Sequence, residues 1–163
     1  MAPESHPDTG ALENAEAAWA VPVMRPRLPA LAALKTYFEE IDANRWYGNY
    51  GPLERRFEQR LAEALDVEAA ELVCVANGTQ GLTVALQAVA GSGGGYCLMP
   101  SFTFAATAHA AVTAGLQPYF LDVDAAGWAL DPAAVRDALD AIDGPVAAVL
   151  PVAPFGAEAP TVA

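Results

Sequence analysis

The sequence predicts an α/β fold, a mostly parallel sheet with flanking helices. Two observations carry that reading. Apolar runs of strand length fall at residues 72–75, 96–99, 118–123 and 145–150, and helix-length stretches separate them. Turn chemistry also sits where strands would hand over to helices, as in Asn77-Gly78 and Asp131-Pro132. Strands that alternate with helices pair in parallel and are covered on both faces. The 163 residues suffice for one domain with a sizeable core, though not for two large ones.

Residues 1–28 mix Pro, Glu, Asp and Gly without periodicity at first and predict a poorly ordered arm. From Pro29 a helical pattern places Leu31, Leu34, Phe38 and Ile41 on one face. It stops before the loop Asn44-Arg45-Trp46-Tyr47-Gly48-Asn49-Tyr50-Gly51. Pro52 then opens a second helix, with Leu53, Phe57 and Leu61 at i, i+4 and i+8. A third helix runs from Asn77-Gly78-Thr79-Gln80-Gly81 to about Ala90 and ends in the flexible turn 91–95. A fourth is expected over 103–114. Asp131 and Pro132 cap and open a fifth, with Val135, Ala138, Leu139 and Ile142 facing inward. No helix follows the last strand, so the α/β pattern reads as unfinished.

Composition narrows the function classes. Twenty acidic residues against eight basic give a net charge of −12, which leaves no basic surface for nucleic acid or an anionic membrane. A small anion is another matter, because backbone amides can hold one. No run is long and apolar enough for a bilayer span, and the N-terminus is acidic where a signal peptide is basic, so a cytoplasmic protein is expected. Cys74 and Cys97 each lie in an apolar run and read as buried thiols; no metal site is expected.

Two segments could carry chemistry. At Gly78-Thr79-Gln80 a turn opens a helix, whose unpaired N–H groups and dipole form a seat for phosphate; an ordinary capped helix start is the competing reading. It is not a Walker A loop, lacking Gly-Lys-Ser/Thr, and it lacks the first glycine of a dinucleotide fingerprint. The second segment, Pro100-Ser101-Phe102-Thr103-Phe104, follows a strand, where ligands of open α/β sheets bind. An aromatic there can stack on a flat heterocycle or simply join the core. Asp122 and Asp124, at the end of a strand, suit a turn better than a metal.

Taken together, NGTQGL, PSFTFAAT, GLQPYFLDVD, LDPAAV and LPVAPFG resemble the DegT/DnrJ/StrS family of pyridoxal-phosphate-dependent sugar aminotransferases. The loop Trp46-Tyr47-Gly48-Asn49-Tyr50-Gly51-Pro52, with Phe57-Glu58, is similar to that family's N-terminal signature. The likeness runs in order from about Pro29 to Gly156. It implies the N-terminal part of a fold type I aminotransferase large domain, so that residues 29–163 form a partial cofactor-binding domain. It implies pyridoxal 5'-phosphate (PLP) as cofactor, with Gly78, Thr79 and Gln80 on the phosphate and Phe104 stacked on the pyridine. It places Asn49 and Tyr50 near a nucleotide-sugar substrate, across the interface of a homodimer. His109 receives no role and is expected to pack.

The resemblance also implies what these residues lack. In the family, the lysine that joins the cofactor aldehyde and the acidic partner of the pyridinium nitrogen come from segments beyond LPVAPFG. This chain ends seven residues after Gly156, and its only lysine, Lys35, sits in the first helix. A fragment that binds the cofactor without transaminating is therefore expected; a non-catalytic ligand-binding or interaction protein of the same fold is the alternative. The turn GSGGG also replaces the acidic residue that the family places before the next strand.

Overall fold

The computed structural model describes residues 26–157. The expected arm therefore lies mostly outside the described residues, and 26–30 have no regular structure. The chain divides into two compact units, Met1–Ala69 and Ala70–Ala163.

The first unit contains two helices, α1 (Leu31–Asn44) and α2 (Pro52–Leu65). Pro52 opens α2 at the position where a missing N–H costs nothing. Both helices end in a left-handed residue, Arg45 and Asp66. A charged clasp joins them: the Arg56 guanidinium donates to Glu40 at 2.7 Å and lies 5.5 Å from the Tyr37 ring centroid. Their apolar faces are less buried than periodicity predicts. Leu34 and Ile41 are half-buried, but Leu31, Phe38 and Phe57 are exposed, and Ala62 is the only buried residue of the two helices. Amphipathic spacing produces a face and does not by itself supply a partner for it.

The second unit is the α/β element. Its helices are α3 (Gly78–Ala90), α4 (Ala105–Thr113) and α5 (Pro132–Ala141). Its strands are β1 (Tyr96–Pro100), β2 (Gln117–Leu121) and β3 (Val146–Val149), in the parallel order β2-β1-β3. Tyr96 faces Gln117 on one side and Val146 on the other, and a bulge between Tyr96 and Cys97 shifts the second register.

The central strand explains where the core sits. Cys97, Leu98, Met99 and Pro100 are fully buried. Cys97 and Met99 share one face, and Leu86 of α3 with Ala110 and Ala111 of α4 packs onto them. Alanines on α4 let that helix approach closely. The edge strands are wetter: Phe120 of β2 is 53% exposed and Val149 of β3 is 43% exposed.

Five expectations change. Residues 72–75 do not form a strand. Among the described residues the sheet has three strands and these residues are in none of them, while Val73 is 59% exposed. Cys74 is half-buried, while Cys97 is buried as expected. His109 is on the exposed side of α4 and does not pack in the core. In α5, Ala138 is buried and Val135 and Ile142 are half-buried, but Leu139 faces outward. The fourth expected helix starts at Ala105, two residues late, because 101–104 form a loop.

Candidate functional site

The chain enters β1 from α3 through the short turn 91–95 and leaves it into α4. Thirteen residues of α3 rise about 20 Å, enough to span the height of a five-residue strand. Since α3 and α4 pack side by side on one face of the sheet, both helices begin at the carboxyl end of β1. That edge is where open α/β sheets present their ligands.

At the start of α3, Asn77 is the N-cap and its side chain accepts the Gln80 amide at 3.0 Å. Gln80 answers with Oε1, which accepts the Ala76 amide at 2.9 Å. This reciprocal arrangement is close to a capping box. It commits the Gln80 amide and its side-chain oxygen to the turn itself. The amides of Gly78 and Thr79, first and second in the helix, have no intrahelical acceptor by their position. Among the described residues, beyond its chain neighbours and its own helix, nothing lies within 4 Å of where a Cβ on Gly78 would stand. An anion can therefore reach the backbone there, with the dipole of α3 behind it.

Asn77 is the residue that sequence reasoning underused. Its spacing to Gln80, a cap followed three residues later by an amide side chain, was the available signal.

At the start of α4, Phe104 is the N-cap residue and its ring is 81% exposed. The backbone beneath it is pinned. The Phe104 carbonyl accepts the Thr107 amide at 3.0 Å, and the Thr103 and Thr107 hydroxyls lie 2.7 Å apart. The Ser101 amide donates to Leu121 of β2 at 2.8 Å. A hydrogen-bonded helix start thus carries an accessible aromatic side chain.

Asp124 behaves as a turn residue. Its carboxylate accepts the Ala126 amide at 3.1 Å and also the Gly127 amide. Asp131 likewise caps α5 through the Ala133 amide at 2.8 Å.

Asn49 and Tyr50 belong to the other compact unit. Both are left-handed, with φ of 54° and 58°. The Tyr50 amide donates to Glu54 at 2.8 Å, the Trp46 indole donates to the Asn49 carbonyl at 3.3 Å, and Arg55 lies 5.5 Å from the Trp46 ring centroid. The Tyr47 hydroxyl donates to Asp42 at 3.2 Å, and that hydrogen bond raises its pKa. Lys35 is an exposed helix residue, 3.5 Å from Glu39 one turn along.

The residues of the second unit fit part of a phosphorylated pyridine. Two helix-start amides suit its phosphate, and one exposed aromatic suits its ring. Lys35 belongs to the other unit, on α1, and is ion-paired there with Glu39.

Residues 32–162 match the DegT/DnrJ/EryC1/StrS aminotransferase family. Protein Rv3402c of Mycobacterium tuberculosis is 36% identical over 144 residues, 87% of this chain and 35% of that protein. The dTDP-4-amino-4,6-dideoxy-D-glucose transaminase of Escherichia coli is 36% identical over 132 residues, 81% of this chain and 34% of the enzyme. Among solved structures, a DegT/DnrJ/EryC1/StrS aminotransferase from Brucella abortus superposes with a TM-score of 0.66 at 32% identity, covering 79% of this chain and 35% of that one. DesI, solved with its TDP-sugar product, gives 0.63 at 36% identity over 78% of this chain and 31% of that one.

This chain thus spans about a third of the length of the curated relatives it matches. The fold is that of PLP-dependent aminotransferases, and the family implies PLP as cofactor. Among the described residues no helix is long and apolar enough to cross a membrane. On the match over 32–162, the chain belongs to the DegT/DnrJ/EryC1/StrS aminotransferase family.

Proposed function

We propose that these residues provide the phosphate seat and the ring-stacking wall of the PLP site in a nucleotide-sugar aminotransferase. The observation that supports this most is the pair of uncommitted amides on Gly78 and Thr79 at the start of α3. PLP supplies the electron sink for amino-group transfer. The protein's part here is to bind and orient: Gly78 and Thr79 hold the phosphate by backbone donors, and the Thr79 hydroxyl adds another. Gln80 contributes through the cap that holds the turn, leaving its side-chain nitrogen for the ligand. Phe104 covers one face of the ring and excludes water from it.

Asn49 and Tyr50 are read as a loop that contacts the sugar nucleotide in a homodimer; relatives that act on dTDP-sugars support that substrate class. A cytoplasmic location fits such biosynthesis. With Lys35 as its only lysine, the chain as given binds PLP without transferring an amino group. A non-catalytic binding protein of the same fold is the second reading, favoured by the same placement of Lys35.

The test is a PLP titration of the chain, followed by the ligand's absorbance. Saturable binding is expected, and Thr79→Ala and Phe104→Ala should each weaken it about fivefold, the size of one stacking or hydrogen-bonding contribution near 1 kcal/mol. No binding at millimolar PLP would leave only the family fold. A pyridoxyl group mapped to Lys35 after borohydride treatment would overturn the claim that this lysine plays no part.

A further inference from the structure

Three aromatic rings meet on the loops that leave the three strands. Phe102 follows β1, Trp128 follows β2 and Phe155 follows β3. Phe102 and Trp128 have ring centroids 5.8 Å apart at 65°, Trp128 and Phe155 6.1 Å apart at 77°, and Phe102 and Phe155 6.3 Å apart at 55°. These are edge-to-face and tilted contacts of the kind aromatic pairs prefer.

This cluster is not part of the core. Phe102 is 45% exposed, Trp128 48% and Phe155 89%. Two of the three are also held in the left-handed region, with φ of 57° at Trp128 and 53° at Phe155. Bulky residues avoid that region, and strained positions of this kind persist where the surroundings over-determine them. Around Trp128 they do: its amide donates to the Asp124 carbonyl at 2.9 Å, the Asp124 amide donates to the Ala129 carbonyl at 3.0 Å, and Val123 bridges Leu130. Around Phe155, the Gly156 amide returns to the Ala153 carbonyl and the Ala157 amide to the Pro154 carbonyl.

Through Phe102 the cluster reaches the loop 101–104. Phe102 lies two residues ahead of Phe104, and hydrogen bonds hold the loop at Ser101, Thr103 and the Phe104 carbonyl. Thr103 alone separates Phe102 from Phe104, and none of these bonds involves the Phe102 amide or carbonyl. We infer that Phe102, Trp128 and Phe155 are positioning residues that set the orientation of Phe104 against the cofactor ring. The inference rests on the proposed stacking role of Phe104.

The test is a double-mutant cycle on the full chain, reading PLP affinity and, separately, the affinity for inorganic phosphate. Phe104→Ala and Trp128→Ala should each weaken PLP about fivefold. The double variant should be no weaker than Phe104→Ala alone, because Trp128 acts only through Phe104. Trp128→Phe should restore binding, and inorganic phosphate should bind all variants equally.

If Phe104→Ala weakens PLP and Trp128→Ala does not, the positioning role is overturned while the stacking role stands. If Phe104→Ala has no effect, the stacking role fails and the inference fails with it. Additive losses, or an equal loss of inorganic phosphate, would mark a merely structural role and also overturn it. Should Trp128→Ala fail to fold, Phe102→Leu and Phe155→Leu serve in the same cycle, with the same outcomes decisive.

Discussion

Cys97 and Cys74 look alike in sequence, each a small thiol inside an apolar run, yet the fold treats them differently. Cys97 is on the central strand, fully buried, and burial pushes its thiol above the ordinary value of 9.0. A raised pKa means the native state favours the neutral thiol. The corresponding stability is complete below the unfolded pKa and is lost as pH rises through the folded one. At pH 8 the native chain should therefore leave Cys97 unmodified by an alkylating reagent, and modification should accelerate above pH 9 together with loss of structure. Peptide mapping by mass spectrometry checks this; rapid labelling of Cys97 in a folded chain at pH 8 would contradict its burial. The residues proposed for the cofactor show a similar divide. That Gly78 and Thr79 open a helix was legible from the turn chemistry, and a helix start leaves its first amides unpaired. The fate of Gln80 was not, because a side chain three residues past a cap can turn back or reach forward, and only the fold decides.

Among the elements, α3 depends on its cap. Asn77→Ala removes the acceptor for the Gln80 amide and should cost about 1 kcal/mol, read as a lower melting temperature. It should also weaken phosphate binding by loosening the turn; an unchanged melt would show that the cap carries no stability. The turn into β1 gives a sharper contrast. Gly95 has φ of 120°, and a Cβ there would lie 2.7 Å from the Pro145 carbonyl oxygen, on backbone that cannot yield cheaply. Gly91 has φ of 61° with nothing within 4 Å. Gly95→Ala should therefore cost several-fold more stability than Gly91→Ala, for which about 1 kcal/mol is expected. Comparable denaturation midpoints for the two would refute the close approach at Gly95. Five helices and three of four strands were legible from period and turn chemistry. Residues 72–75 have the composition of a strand but join none of the strands of the described sheet, and pairing is a long-range property that local pattern does not contain.

For the whole molecule, the α/β architecture follows from alternation, and the placement of ligand chemistry follows from topology. Because α3 and α4 start at the same edge of the sheet, two motifs more than twenty residues apart in sequence serve one end of the fold. The net charge of −12 works against an anionic cofactor at long range. Binding should therefore rely on the local donors of α3, and screening at moderate salt limits the repulsion. The exposed rings of Phe38, Phe57, Phe104 and Phe120 show how much apolar surface these residues present. Backbone amides at the start of α3 are proposed to grip the cofactor's phosphate. Amide chemical-shift mapping of the labelled chain with PLP, and in parallel with pyridoxal, which lacks the phosphate, tests this grip most directly. Saturable shifts centred on Gly78 and Thr79 are expected with PLP and far smaller ones with pyridoxal. Equal shifts with both ligands, or none at these two amides, would contradict it.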